Sequence, residues 1–228
     1  MVASTLRLKR PFGFTLVELL VALMVMALLA AMSWRGLDGM ALATGQTRQR
    51  ADALMALQTG LAQWGADLDA MAELPPADPS SGSAGAPAAL DWNGLVLRIT
   101  RADASGADAG LRVVAWSRRD VQGTPQWLRW QSGVLRDRAA LQSAWSQAAV
   151  WAQNPGDAER QFEVAISPLA QWQVFYFRND AWTNPLSSAA PAAVPDGVRL
   201  ELTLPPGDAL TGLFRRDWIR PTVGGKKS

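Results

Sequence analysis

The spacing of hydrophobic residues changes along the chain, and the first segment is almost continuously apolar. Every residue in the range Leu19–Met32 is apolar, and the stretch extends back to Phe14 with only Thr15 and Glu18 as polar positions. A helix of this length just spans a bilayer. The pattern therefore predicts a membrane-spanning helix near the N-terminus.

The next segment follows helical spacing. No proline occurs between Thr15 and Leu74, and apolar residues recur three and four positions apart. This stripe consists of Leu54, Leu57, Leu61, Trp64, Leu68 and Met71. We predict one long helix from about residue 14 to about residue 72, with the stripe packed on the protein's own sheet rather than in a coiled coil with a partner.

The helix is expected to stop at Pro75, where a linker rich in Pro, Ser, Gly and Ala covers residues 75–89. Beyond it the apolar residues alternate, which is typical of strands. The predicted strands are 95–99, 111–116, 126–131, 162–166, 171–177, 198–204 and 214–219. Residues 137–151 are predicted as a short helix or an irregular segment. The fold class is α+β: a long N-terminal helix packed against an antiparallel β domain over residues 90–221, with a flexible tail at 222–228.

The amino-acid composition excludes many of the common catalytic mechanisms of enzymes. The chain has no Cys and no His, which excludes disulfides, thiol nucleophiles, zinc fingers and Ser-His-Asp triads. Two carboxylates, Asp67 and Asp69, lie two positions apart and do not share a helix face. We therefore expect a protein that is not an enzyme, with no catalytic residue, no metal site and no cofactor.

The charge is concentrated at the N-terminus. Arg7, Lys9 and Arg10 supply +3 within the first thirteen residues; the net charge is +2, so the remaining residues sum to −1. This distribution argues against a nucleic-acid partner. Basic residues before an apolar helix remain cytoplasmic, so the C-terminal domain is expected outside the cytoplasm.

One alternative is an ordinary secretory signal, which would be cut near Ala31-Met32-Ser33. Glu18 argues against it, because a carboxylate near the start of an apolar segment is costly to insert into a membrane and an ordinary signal does not require one. The run Gly13-Phe14-Thr15-Leu16-Val17-Glu18-Leu19-Leu20-Val21-Ala22-Leu23 instead resembles the class III signal of type IV prepilins and type II secretion pseudopilins. The resemblance implies a pilin-like fold, removal of leader 1–13 by the prepilin peptidase between Gly13 and Phe14, and N-methylation of Phe14. It also implies that Glu18 pairs with the N-terminal amine of a neighbouring subunit in a fibre.

In that family the apolar segment stays attached as an inner-membrane anchor. The resemblance thus implies a transmembrane and assembly half of the helix at 14–34 and a periplasmic half at 35–74. Trp34 and Arg35 are expected at the membrane interface, and the C-terminal domain is expected in the periplasm.

The mature chain would have 215 residues (228 less 13), which matches the J-type minor pseudopilins in size. The absence of the C-terminal disulfide found in many type IV pilins also favours a pseudopilin. This subfamily implies a tip complex with I- and K-type subunits and the major pseudopilin, which primes assembly and helps export folded proteins through the outer-membrane secretin. The alternatives are a minor pilin that initiates a type IV pilus and a membrane-anchored periplasmic binding protein or enzyme.

Tryptophan is unusually frequent, at 11 residues. Trp34 is expected at the membrane, Trp64 in the helix stripe, and three others in strands. Interface hot spots favour tryptophan, so any exposed member of the remaining six is a candidate partner contact. These six are Trp92, Trp127, Trp145, Trp151, Trp182 and Trp218.

Overall fold

The computed structural model describes residues 13–72, 74, 87–103, 109–187 and 193–221. The chain divides into two compact units, Met1–Gln49 and Arg50–Ser228. Helix α1, Leu16–Asp69, contributes to both. The described part of the first unit consists of α1 and the short segment before it, and its side chains are exposed throughout.

The second unit contains a five-stranded antiparallel sheet, sheet A, in the order β1-β2-β3-β4-β5. Its strands are β1 Leu90–Trp92, β2 Val96–Asp103, β3 Gly110–Val121, β4 Thr124–Gln131 and β5 Glu163–Pro168. Strands β3 and β4 form a hairpin through Gln122 and Gly123, which have φ angles of 51° and 80°. Two residues with positive φ make the tight turn whose twist matches the flanking strands.

A second antiparallel sheet, sheet B, has the order β7-β6-β8-β9. Its strands are β6 Gln171–Arg178, β7 Ala181–Thr183, β8 Gly197–Leu204 and β9 Gly212–Ile219. Strand β8 alternates between buried Val198, Leu200, Leu202 and Leu204 and more exposed polar residues. This alternation buries one face of sheet B and leaves the other accessible.

Sheet A is buried on both faces. One face packs on helix α2, Arg138–Gln153, through a cluster that includes Trp130, Trp145 and Trp151. The N-cap Asp137 accepts a hydrogen bond from the backbone N–H of Ala140 at 2.7 Å, which satisfies one of the free donors of the first turn. A one-turn helix α3, Asp157–Arg160, connects α2 to β5.

The other face of sheet A packs on the inner face of sheet B and on the second half of α1. Leu57, Trp64 and Leu68 from α1 join Trp116 and Trp127 from sheet A in one buried cluster. Sheet B adds Val174, Val198, Leu200, Leu202, Leu204 and Trp218 to it. The predicted packing on the protein's own sheets is therefore confirmed for the stripe from Leu57 to Met71, whereas Leu54 is 41% exposed and lies outside the cluster.

The α+β class, the long helix and all seven predicted strands are present, with ends within a few residues of the predicted ones. The segment predicted at 137–151 is helical from Arg138, with Asp137 as its N-cap, and α2 extends to Gln153. Three short elements, β1, β7 and α3, were not predicted. Leader residues 1–12, linker residues 75–86 and the tail 222–228 lie outside the described residues.

Candidate assembly site at the start of the first helix

The N-terminal site is formed by the residues that open α1. Thr15 and Glu18 form a reciprocal capping box. Oγ1 of Thr15 accepts from the backbone N–H of Glu18 at 3.3 Å. In return, Oε2 of Glu18 accepts from the backbone N–H of Thr15 at 3.1 Å and from its hydroxyl at 3.0 Å. The helix therefore begins where its own side chains can satisfy the first free N–H groups.

The predicted cleavage residues precede this cap. Gly13 and Phe14 lie outside the helix, and Phe14 is 89% exposed. A Cβ placed on Gly13 would meet no atom within 4 Å. The Gly13–Phe14 peptide bond therefore joins two exposed residues that precede the hydrogen-bonded part of the helix.

The apolar side chains that follow are exposed in the part of the chain that the structure describes. Those on α1 up to Leu42 are about half or more exposed, including Trp34 at 69%, and Arg35 is also exposed. The helix is long and apolar enough to cross a membrane. So large an apolar surface needs a covering of lipid or of other subunits.

A second site, which the sequence did not indicate, is the carboxylate of Asp67. It is completely buried and accepts hydrogen bonds from Arg129, Arg101, Trp116 and Gln63. Arg129 is bidentate, with Nε 2.8 Å from Oδ2 and a terminal nitrogen 2.8 Å from Oδ1. Two guanidinium groups and an indole offset the loss of water around the carboxylate, and they fasten α1 to sheet A.

The carboxylate of Asp69, two residues further along α1, contacts sheet B. Oδ1 of Asp69 accepts a hydrogen bond from the indole Nε1 of Trp218 at 2.8 Å. The expectation that Asp67 and Asp69 do not share a helix face agrees with these contacts, because the two side chains have partners in different sheets. The last turn of α1 thus contacts both sheets through polar groups.

The accessible face of sheet B carries an ordered row of polar and aromatic groups. The guanidinium of Arg199 lies 4.1 Å from the ring centroid of Trp182 and binds both carboxylate oxygens of Asp217 at 2.7 Å. Trp182 also packs on Phe177, with centroids 5.1 Å apart. The hydrogen bond from Arg199 lowers the pKa of Asp217, and the same bond raises the pKa of Arg199.

The tryptophans without an expected role prove mostly structural. Trp127, Trp145 and Trp151 are at most 1% exposed, and Trp92 and Trp218 are each 8% exposed. Trp182 is half-buried. Because the other five are buried, Trp182 is the one member of the six that remains a candidate for a partner contact.

The described residues contain no group of three or more His, Cys, Asp or Glu side chains that could hold a metal ion. A groove of about 320 Å³ between α2, α3 and the loop after β4 has one carboxylate in its lining, that of Glu159. Its Oε2 accepts from the backbone N–H of Gly156 at 2.8 Å and so caps α3.

Comparison with known families identifies the N-terminal segment. Residues 8–34 match the family model for the prokaryotic N-terminal methylation motif. The chain carries this motif. The match covers Gly13, Phe14 and Glu18 together with the apolar part of α1 through Trp34.

The chain is also similar to one chain of the crystal structure of the GspK-GspI-GspJ complex from the enterotoxigenic Escherichia coli Type 2 Secretion System. The TM-score is 0.45 and the identity 17%, over 73% of this chain and 96% of that chain. A comparison with curated proteins finds no match. A structural likeness at this level does not establish function, which must come from the motif and the contacts of this chain.

Proposed function

We propose that this chain is a minor pseudopilin of a type II secretion system. The proposal is supported by the N-terminal methylation motif over residues 8–34. The motif lies on a helix whose apolar side chains are exposed. The first part of α1, residues 14–34, anchors the chain in the inner membrane, and the β-rich domain lies in the periplasm. Retention of the apolar helix requires a cut before it rather than after it.

Processing takes place at Gly13 and Phe14. The prepilin peptidase removes the leader 1–13 and methylates the new amine of Phe14. Exposure of both residues before the capped helix supports this site. Trp34 and Arg35 mark the periplasmic interface, where an amphipathic ring and a cation are both favoured.

Glu18 acts in assembly. Its exposed carboxylate, held by Thr15 at the helix start, pairs with the N-terminal amine of a neighbouring subunit within the membrane. Each charge offsets the desolvation of the other, and the pairing sets the axial register of the fibre.

The J-type role is the finer part of the proposal. In this role the chain joins I- and K-type subunits at the tip of a pseudopilus built from the major pseudopilin, primes its assembly and helps export folded proteins through the secretin. The 215 residues expected after cleavage at Gly13 support the J-type, and the lack of cysteine favours a pseudopilin over a type IV pilin.

The decisive experiment is processing of the full chain. It is co-expressed with a prepilin peptidase, and intact-protein mass spectrometry then gives the mature N-terminus. We expect a chain that begins with N-methyl-Phe14, no processing of Gly13→Val, and normal processing of the matched control Gly36→Val. A Cβ at Gly36 meets no atom within 4 Å. A cut near Ala31-Met32-Ser33 would overturn the proposal.

The subtype is tested separately by purification and complementation. The full chain in detergent should co-purify with I- and K-type subunits, and it should restore secretion in a strain that lacks its own J-type subunit. Restored piliation without secretion would assign the chain to a type IV pilus instead. Failure to form a complex would remove the tip role without affecting the processing result.

A further inference from the structure

The last strand that the structure describes, β9, lies at the edge of sheet B and has few core contacts. Among the described residues it pairs with β8 alone. Of its eight residues, Trp218 alone is buried. Phe214, which is half-buried, also packs against the main cluster. An edge strand with only these two core side chains depends on specific contacts to remain closed.

The one buried side chain of β9 is that of Trp218. The indole of Trp218 enters the main cluster and is 8% exposed. Its Nε1 donates to Oδ1 of Asp69 at 2.8 Å. This hydrogen bond joins the end of α1 to the end of the β domain, across 149 residues of sequence.

Outward contacts join β9 to β8. Asp217 binds Arg199 through two hydrogen bonds of 2.7 Å, and Nε of Arg215 donates to Oε1 of Glu201 at 2.7 Å. Both ion pairs lie at the surface: the Asp217 side chain is 39% exposed and the Arg215 side chain 54%. Exposed pairs of this kind contribute little to stability, so they guide the strand into register more than they hold it.

Sheet A is attached to α1 by a different group. Asp67 is fully buried and binds Arg101 and Arg129, which belong to β2 and β4. Asp69 is exposed, and its contact with β9 is a single hydrogen bond. The last turn of α1 is therefore held much more strongly to sheet A, through Asp67, than to β9, through Asp69.

We propose that β9 is a latch strand, closed by the Trp218–Asp69 hydrogen bond, which opens from α1 and β8 while sheet A stays attached to α1 through Asp67. Opening exposes the free edge of β8. Closing places the end of the β domain against the end of the helix. The device is independent of the secretion role, because it requires only contacts within the second unit.

Hydrogen–deuterium exchange of the full chain in detergent micelles tests the latch. Asp69→Asn weakens the acceptor, and Trp218→Phe removes the donor while an aromatic ring is kept. Both should make the amides of β9, and those of β8 that pair with it, exchange about tenfold faster, with β2–β4 unchanged. The matched control is Asp52→Asn, which alters an exposed carboxylate earlier on the same helix and should leave all rates unchanged.

A complementary variant separates local from global opening. Arg101→Gln removes one partner of Asp67 and should accelerate exchange in β2–β4 without a selective effect on β9. Unchanged rates in β9 for both Asp69→Asn and Trp218→Phe would overturn the proposal. Equal acceleration of β9 and β2–β4 in these variants would also overturn it, since the strand would then open only with the whole domain.

Discussion

At Gly60, α1 packs so closely against Ile166 of β5 that there is no room for a side chain on the helix. A Cβ at this glycine would overlap the Cγ2 methyl of Ile166 and stand 3.0 Å from Cζ3 of Trp127. Gly60 is buried, although glycine weakens a helix interior. The close approach of sheet A explains why glycine is needed at this position.

Gly60→Ala should therefore destabilise the protein despite the better helix propensity of alanine. Overlap with a branched side chain in a packed core costs about 1–3 kcal/mol. Gly65→Ala is the matched control, because a Cβ there meets nothing within 4 Å. The control should stabilise by about 0.5–1 kcal/mol. Denaturant unfolding followed by tryptophan fluorescence measures both, and equal effects of the two substitutions would contradict the steric explanation.

Asp67→Asn should be among the most destabilising single substitutions in the second unit. It removes the charge that balances Arg101 and Arg129 and leaves an amide donor facing guanidinium groups. Breaking a buried ion pair in this way costs about 3–5 kcal/mol. The same unfolding assay measures the loss.

Two further variants show how much of the loss for Asp67→Asn comes from its individual contacts. Trp116→Phe removes one neutral hydrogen bond to Asp67 and should cost about 1 kcal/mol from that bond, in addition to any loss of packing. Asp208→Asn, in an exposed turn, should change the free energy of unfolding by less than about 0.5 kcal/mol. A loss for Asp67→Asn no larger than for Asp208→Asn would show that the network does not hold the helix.

Thr15→Val should loosen the start of α1. It removes both the hydroxyl that accepts from the backbone N–H of Glu18 and the hydroxyl proton donated to its carboxylate. Loss of an N-cap costs about 1 kcal/mol. Amide exchange in the first turn, measured in micelles, should rise for Thr15→Val and stay near wild type for Thr15→Ser, which retains the hydroxyl. Equal exchange in both variants would contradict the capping role.

The Arg199–Asp217 pair should make a small, pH-dependent contribution to stability. The hydrogen bond from Arg199 lowers the pKa of Asp217 below its ordinary value of 3.8. The contribution is therefore complete at pH values above 3.8 and is lost as the pH falls through the lowered pKa of the folded state. Because the Asp217 side chain is 39% exposed, solvent screening limits it to about 0.5 kcal/mol.

Asp217→Asn checks this contribution. The difference in the free energy of unfolding between wild type and variant should be largest near neutral pH and should shrink toward zero in strong acid. A difference that grows as the pH falls would contradict the assignment.

Local patterns were enough to predict the longer helices and strands of this protein. The unbroken apolar run, the three-and-four spacing from Leu54 to Met71 and the alternation of Val198–Leu204 each repeat within a few residues. Such periods reflect the geometry of a helix or a strand. The motif around Gly13 is likewise contiguous, and it determined the candidate processing site. Elements of three or four residues, such as β1, β7 and α3, are too short to show a period.

Only the tertiary structure decided what the individual polar residues do. Asp67 and Asp69 look alike in sequence, yet one is buried among Arg101, Arg129 and Trp116, and the other holds Trp218. Their partners in the sheets lie between 34 and 149 positions away in the numbering, and no local pattern records which distant strand reaches a given helical turn. The sequence by itself determined the anchor, the helix and the strands, because these depend on neighbours along the chain. The ion-pair network, the close contact at Gly60 and the latch at β9 depend on which surfaces meet when the sheets pack.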